Sequence, residues 1–346
     1  MTAMQKSNTP LFLGIDLGTS QTAIMSSEGG KALIRSVVGY PKDVIGVRLL
    51  KKTLVVGDEA LEKRSYLNLH FPLEDGVLKE TGDREIKAAK ELIEYAIAQV
   101  NPDDRGRLCG IIGVPARASV TNKAQLLKIA DEMLDLSMVV SEPFMVAYGL
   151  NCLTNTIIID IGAGTIDLCA MKGTVPSQED QITLLKAGNH VDEVLAAEIA
   201  ESYPEVQMTT LLAKKIKEQH GYVGESRESV MVNLRAGGRP VTCDLSREVR
   251  VACESILPDI LENVEQLITS FDPEYQEDAL KNIILAGGGG QIMGLRQALL
   301  SHLQGHGEVN VIRVEDPDFA GAAGALKLAT ELPPEYWTQV GDVIGS

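Results

Sequence analysis

The sequence is poor in basic and in aromatic residues. It has 32 lysines and arginines against 48 acidic residues, a formal net charge of −16, and only 4% of its residues are aromatic. Because nucleic acids and anionic lipid surfaces attract positive charge, this balance argues against nucleic acid as a partner and against electrostatic docking on such a membrane. No apolar run reaches about 18 residues, so the sequence predicts no transmembrane helix and no direct membrane insertion.

Paired cysteines and a secretion signal are also missing. The cysteine count is odd and no CxxC occurs, which favours reduced thiols in a cytoplasmic protein over a disulfide framework or a zinc site. The opening segment MTAMQKSNTP has no apolar core, so we expect no signal peptide and a short polar start. The five cysteines are Cys109, Cys152, Cys169, Cys243 and Cys253.

Apolar and glycine residues are plentiful in this chain of 346 residues, at 45% and 32 respectively. Buried-strand patterns alternate with helical patterns, which predicts an α/β fold with a largely parallel or mixed sheet. Between 31 and 75 the pattern indicates short strands and loops, one of them at 43–47. The other main predictions are strands at 11–16, 110–115 and 139–143, and helices at 83–100, 119–135 and 319–331.

One pattern occurs twice, about half the chain apart. LGIDLGTSQTAI around Asp16 aligns with IIIDIGAGTIDL around Asp160: an apolar strand, an aspartate, a glycine-containing turn and a second strand. Glycines let backbone N–H groups approach a phosphate, and a hard cation such as Mg²⁺ prefers carboxylate and water oxygens. The duplication therefore predicts two similar lobes that face each other across a nucleotide cleft.

A third glycine-rich segment, AGGGGQIMG at 286–294, follows a predicted strand and suits close contact with a flat or phosphorylated ligand. Other nucleotide motifs are missing. The sequence has no GxxxxGK[ST], which excludes a P-loop, and no GxGxxG follows a strand, which argues against a dinucleotide-binding site.

These motifs resemble those of the actin and Hsp70-like ATPase superfamily, and within it the chain is most similar to bacterial actin-like proteins that organise magnetosomes. The resemblance implies a two-lobed actin-like fold, with duplicated ribonuclease-H-like domains around the nucleotide cleft. Lobe I would comprise 1–152 and 316–346, with a small outer subdomain at about 31–75. Lobe II would comprise 153–315, with an outer subdomain at about 190–255. The matching stretches are 16–19, 71–77, 113–116, 141–145, 160–165, 216–218 and 285–289.

The same resemblance assigns roles residue by residue. Asp16 and Asp160 would hold Mg²⁺ through waters, Glu142 would position or deprotonate the attacking water, and Asp167 would help to orient it. Asp160 would also belong to the catalytic set. Ile166 departs from the family, since relatives usually have threonine there, and Ala23 stands where eukaryotic actin has a lysine. The implied nucleotide-binding residues are Thr19, Ser20, Gln21, Gly162, Gly164, Thr165, Gly188, Lys217, Glu218, Gly287, Gly288, Gly289 and Ile292.

The resemblance thus implies a cytoplasmic, cytoskeletal ATPase that binds ATP or ADP with Mg²⁺ and polymerises with itself. Its filaments would organise magnetosome chains, with magnetosome-associated proteins as candidate further partners. Two alternatives remain open: a bacterial actin of the cell-shape type, and a two-lobed kinase of a small molecule.

Overall fold

The computed structural model describes residues 10–79, 82–101, 106–225, 228–333 and 335–337. The polar start predicted at residues 1–9 lies outside them. The chain divides into two compact units. Unit 1 comprises Met1–Cys152 and Asp316–Ser346, and unit 2 comprises Leu153–Glu315. Within the described ranges, none of the helices combines the length and apolar composition that a bilayer-crossing segment needs.

Strands and helices alternate along both units. The strands are β1 (Leu11–Leu17), β2 (Gln21–Ser26), β3 (Lys31–Arg35), β4 (Val38–Pro41), β5 (Val55–Val56), β6 (Leu67–His70), β7 (Leu73–Glu74), β8 (Val77–Leu78), β9 (Leu108–Val114), β10 (Leu136–Ser141), β11 (Thr154–Ile161), β12 (Ile166–Lys172), β13 (Gln181–Leu184), β14 (Met231–Ala236), β15 (Arg239–Asp244), β16 (Ile283–Ala286) and β17 (Val311–Arg313). The α-helices are α1 (Val44–Leu50), α2 (Asp58–Glu62), α3 (Asp83–Val100), α4 (Val120–Ala130), α5 (Glu142–Leu150), α6 (Gly188–Ser202), α7 (Thr210–His220), α8 (Ser246–Glu254), α9 (Leu257–Thr269), α10 (Pro273–Lys281), α11 (Leu295–Leu303) and α12 (Ala320–Glu331).

The main sheet of unit 1 has the order β10-β9-β1-β2-β3. Strand β9 runs parallel to β1 and to β10, whereas β2 is antiparallel to β1 and to β3. Apolar residues of β1 and β9 pack against one face of α3 to form the core. A smaller sheet, β5-β4-β6, lies between β3 and α3 in the sequence and has a small core of its own.

The main sheet of unit 2 repeats this arrangement in the order β13-β12-β11-β16-β17. Here β11 and β12 form the antiparallel pair, β16 runs parallel to β11, and β17 runs parallel to β16. A large core, built on β11, β12, β16 and the helices from α6 to α11, stabilises the unit. Both copies of the duplicated sequence pattern therefore form the central hairpin of a mixed sheet, as predicted.

Three sequence predictions were wrong in detail. The segment 43–47, predicted among the short strands and loops, instead begins helix α1, because the carboxylate of Asp43 accepts hydrogen bonds from the N–H groups of Ile45 and Gly46 at 2.9 and 3.0 Å and so caps the helix. The strand predicted at 139–143 ends at Ser141, and Glu142 begins helix α5. The helix predicted at 119–135 ends at Ala130.

Helix α12 brings the end of the chain back onto the first strand through glycines. A Cβ atom on Gly14 of β1 would lie 2.1 Å from the carbonyl oxygen of Ala322, and a Cβ on Gly324 would lie 1.8 Å from that of Met145. No side chain fits at such distances, so only glycine allows α12 to contact β1 and α5 this closely. The packing of α12 therefore depends on the smallest residue at two separate crossings.

Candidate functional site

The turn between β1 and β2 is closed by its own backbone. The N–H of Gly18 donates to the carbonyl oxygen of Gln21 at 3.1 Å, and a Cβ on Gly18 would lie 2.8 Å from that oxygen. The hydroxyl of Ser36 donates to the carbonyl oxygen of Gly18 at 2.7 Å. The Thr19 hydroxyl oxygen accepts from the N–H of Gly76 at 2.7 Å. Hydrogen bonds from two other segments, at Ser36 and at Gly76, therefore fix the turn that carries the predicted residues Thr19, Ser20 and Gln21.

Asp16 and Glu142 lie at the same edge of the unit 1 sheet. Asp16 is paired with Gly113 on the neighbouring strand, and Gly113 is paired with Val140 on the next, two residues before Glu142. Two strand spacings separate the carboxylate-bearing chain segments, roughly 10 Å. A Cβ on Gly113 would lie 2.2 Å from Cε of Met145 and 3.3 Å from Cγ of Glu142, so glycine leaves room for both side chains.

Asp16 sits in a desolvated position beside helix α12. A Cβ on Gly321 would lie 2.3 Å from Oδ2 of Asp16, so the helix backbone closes over the carboxylate. Burial raises the pKa of Asp16 to about 6, because a charged carboxylate loses water there. A cation beside this group would favour its ionised form.

The turn between β11 and β12 matches the first turn. Asp160 is paired with Asp167 across the hairpin, and the N–H of Gly162 donates to the carbonyl oxygen of Thr165 at 2.9 Å. Asp167 is buried, and its Oδ1 accepts from the hydroxyl of Thr183 at 2.6 Å. This hydrogen bond fixes the orientation of the Asp167 carboxylate. The remaining predicted residue of this turn, Gly164, is buried as well.

Ile166, the departure from the family pattern, is fully buried in the hydrophobic core of unit 2. Its neighbours Thr165 and Asp167 occupy the alternate positions of the strand and point to the opposite face. The apolar side chain at this position therefore adds to the core.

The start of helix α6 packs directly on the second turn. The N–H of Gly188 donates to the carbonyl oxygen of Gly162 at 3.1 Å, and that of Asn189 donates to the oxygen of Ala163 at 2.7 Å. A Cβ on Gly188 would lie 3.1–3.2 Å from Gly162, Ala163 and the ammonium group of Lys217, tighter than most contacts. Gly188 thus joins the turn to the positive end of a long helix, an arrangement that attracts anions.

Lys217 on α7 is held by a buried ion pair that sequence reasoning did not find. Its Nζ lies 2.8 Å from Oδ1 of Asp192 and donates to the carbonyl oxygen of Gly188 at 2.7 Å. The side chains of Lys217 and Asp192 are only 13% and 3% exposed. Desolvation raises the pKa of Asp192 despite the adjacent ammonium group. The only signal in the sequence was a carboxylate among the apolar residues of α6.

The glycine-rich turn after β16 contacts the second turn closely. A Cβ on Gly287 would lie 2.4 Å from the carbonyl oxygen of Ile161 and 2.5 Å from Oδ1 of Asp160, and one on Gly289 would lie 2.2 Å from Cγ2 of Ile161. Gly287 has φ +70, which also favours glycine. Gly288 is exposed and has open space around it. Two of the three predicted glycines thus serve close packing, and Gly288 presents backbone to solvent.

Two hydrogen bonds join the end of α7 to the segment that carries Ile292. The N–H of Val223 donates to the carbonyl oxygen of Met293 at 2.8 Å, and that of Met293 donates to Gly221 at 3.3 Å. Glu218, on the same helix as Lys217, is exposed.

The predicted residues therefore form two groups. Unit 1 holds Asp16, Glu142 and the turn at 19–21, and unit 2 holds the rest. Among the described residues, no cluster of three or more histidine, cysteine or acidic side chains is arranged to hold a metal ion.

Comparison with known proteins identifies the family. The MreB/Mbl protein family matches residues 10–334. The chain belongs to the MreB/Mbl family. Among its members, the actin-like protein MamK of Paramagnetospirillum magneticum is 55% identical to this chain over 97% of both sequences.

Solved structures of MamK show the same fold. The structure of a MamK double helical filament superposes with a TM-score of 0.91 at 54% identity, covering 94% of this chain and all of the other. A non-polymerising MamK mutant bound to AMPPNP superposes with a TM-score of 0.73 at the same identity and coverage. The predicted actin-like α/β fold is confirmed.

Proposed function

We propose that this chain is a filament-forming ATPase that binds ATP and ADP with Mg²⁺. The observation that carries the proposal is the duplicated hairpin, in which an aspartate precedes a glycine turn closed by the same backbone hydrogen bond, Gly18 to Gln21 and Gly162 to Thr165. A relative of the same family is described as bound to AMPPNP, an ATP analogue, which supports a triphosphate as the ligand of these turns.

The side chains suggest a division of labour. Thr19, Ser20 and Gln21 in one turn, and Gly162, Gly164 and Thr165 in the other, would contact phosphate through N–H and hydroxyl groups. The N-terminus of α6 at Gly188 would add its positive partial charge. The nucleoside would lie against Lys217, Glu218, the glycines 287–289 and Ile292.

The carboxylates would serve the metal and the water. Asp16 and Asp160 provide the hard oxygen ligands that suit Mg²⁺ bound through waters, and the ion would neutralise phosphate charge. Glu142 would accept a proton from the attacking water or orient it. Asp167 would help to orient the same water, and the hydrogen bond from the Thr183 hydroxyl would hold its carboxylate in position.

Assembly is proposed from the relatives. MamK is described as forming a double helical filament, and this chain has the same fold over nearly its whole length. We propose homopolymeric filaments in the cytoplasm that organise magnetosome chains, with magnetosome-associated proteins as candidate further partners.

A direct test uses the purified full chain with Mg-ATP, Mg-ADP, ATP with EDTA, and no nucleotide. Phosphate release, pelleting and negative-stain microscopy are read from the same samples. Filaments and phosphate release that both require Mg-ATP are expected. A chain that stays monomeric in every condition and phosphorylates acetate or a sugar would instead be a small-molecule kinase.

A further inference from the structure

Helix α1 exposes a row of apolar side chains. Val44, Ile45, Val47 and Leu49, here called the α1 patch, are between 53% and 82% exposed. The helix is anchored from its other side, where Gly46 is buried against the carbonyl oxygen of Tyr66 and Leu50 enters the small core. Four adjacent exposed apolar residues on one short helix indicate a surface that another molecule covers.

The charge around the α1 patch is opposite to that of the whole protein. The segment 42–52 carries four exposed cations, Lys42, Arg48, Lys51 and Lys52, and Asp43 is its single carboxylate. Lys52 is engaged with Glu59, whose Oε2 lies 2.8 Å away. The chain as a whole carries −16. The occupant of the α1 patch should therefore combine apolar surface with negative charge.

Unit 2 carries a surface with these properties, here called the α9 groove. Its apolar floor consists of Leu257, Pro258 and Leu261, and its volume is about 470 Å³. Its rim carries three carboxylates, Glu254, Glu262 and Glu265.

Two of the three rim carboxylates accept hydrogen bonds from neighbouring groups. Glu265 is approached by the rings of His302 and His306, at 3.0 and 3.2 Å, and hydrogen bonds from them lower the pKa of Glu265, so it stays ionised. Glu254 accepts a hydrogen bond from the N–H of Gly224 at 3.0 Å, which brings no cation.

We propose that the α1 patch of one copy of this chain docks in the α9 groove of a second copy. The two surfaces are different and lie on different units, so the contact is heterologous and can repeat without closing. It would then be one of the contacts that build the filament, and to that extent it rests on the proposed function. An anionic membrane could also attract apolar and basic side chains, but the overall charge of −16 opposes that approach.

The test uses two variants made at exposed positions. Ile45→Asp with Leu49→Asp, the patch variant, places negative charge on the α1 patch. Pro258→Arg with Glu262→Arg, the groove variant, places positive charge in the α9 groove. Val175→Asp is the matched control, because Val175 is 74% exposed on unit 2 and belongs to neither surface. Thermal unfolding and binding of a fluorescent ATP analogue are measured first, and should match the unsubstituted protein in all variants.

The patch variant and the groove variant should each raise the critical concentration for pelleting with Mg-ATP at least about tenfold. The control should leave it unchanged. In an equimolar mixture of the patch variant and the groove variant, one intact α1 patch and one intact α9 groove remain, so light scattering should detect dimers. Normal pelleting of either variant, equal loss in the control, or a mixture that stays monomeric would each overturn the proposal. So would an α1 variant that polymerises normally but no longer floats with vesicles rich in phosphatidylglycerol. If the unsubstituted protein itself fails to pellet, the proposed function fails as well.

Discussion

Removing one member of the Lys217–Asp192 pair should destabilise the protein much more than removing the other. Lys217→Met leaves a carboxylate that is 3% exposed without its cation, and breaking a buried pair in this way typically costs about 3–5 kcal/mol. Asp192→Asn removes the more deeply buried of the two charges and keeps an oxygen that can accept from Nζ, which also retains its hydrogen bond to the carbonyl oxygen of Gly188. Its cost should be nearer to that of a weakened hydrogen bond, about 1–2 kcal/mol.

The pH dependence follows from the raised pKa of Asp192. A carboxyl group with a higher pKa in the folded than in the unfolded state binds its proton more tightly when folded, so the folded state gains stability as the pH falls towards that pKa. Without the ammonium group of Lys217 the pKa of Asp192 should rise further. The penalty of Lys217→Met should therefore shrink as the pH is lowered from neutral, and Asp192→Asn should show no such recovery.

Thermal unfolding followed by far-UV circular dichroism measures both effects. At about 2–4 °C per kcal/mol for a domain of this size, Lys217→Met should lower Tm by roughly 6–20 °C at neutral pH. The double variant Asp192→Asn with Lys217→Met should recover most of that loss, because no charge is left buried. Equal losses for both single variants, or a Lys217→Met penalty independent of pH, would refute the reasoning. The double variant also allows nucleotide affinity to be measured without the cation in a stable protein.

Four further outcomes are expected. Asp160→Ala should lower phosphate release at least about 100-fold, since it removes a proposed Mg²⁺ ligand; a stopped-time phosphate assay checks this. Glu142→Ala should bind the ATP analogue normally, hydrolyse about 100-fold more slowly and leave filaments that persist in sedimentation. Gly324→Val should lower the free energy of unfolding by about 3 kcal/mol or more, because its Cβ would lie 1.8 Å from a carbonyl oxygen; Gly305→Ala, with open space around Gly305, is the control. Light scattering should show assembly improving up to about 0.1 M salt, as repulsion is screened, and weakening near 1 M, as contacts between opposite charges are screened too.

The duplicated motif was predictable because its strands are continuous apolar runs and its turns need glycine. Asp16 and Asp160 each pair with the residue seven positions later, across the hairpin. The alignment of the two halves of the sequence already implied this correspondence. Helix α1 was not predictable in the same way. Three of the residues 43–47 are β-branched, which disfavours a helix. The side chain of Asp43, which accepts hydrogen bonds from two backbone N–H groups, favours the helix.

The motifs of the candidate site could be predicted from the sequence, but the contacts that hold its residues in position could not. Lys217 was found by resemblance, but Asp192 lies far from it in the sequence and reads as one more polar residue of an amphipathic helix. Gly287 and Gly289 were predicted from the sequence as ligand contacts, but the sequence did not show that glycine is also needed there for close packing against Ile161. Such contacts depend on tertiary distances, which no spacing along the chain encodes.

The return of α12 to the first strand has a consequence for how the protein is made. Unit 2 is a single uninterrupted stretch of chain, whereas β1 of unit 1 packs closely against α12, which follows unit 2 in the sequence. During synthesis, β1 therefore lacks its contact with α12 until that helix has left the ribosome. Trp337, the only tryptophan, lies buried against Phe12 of β1 with ring centroids 6.1 Å apart. Its fluorescence should therefore report the docking of the segment around Trp337 on β1 during folding.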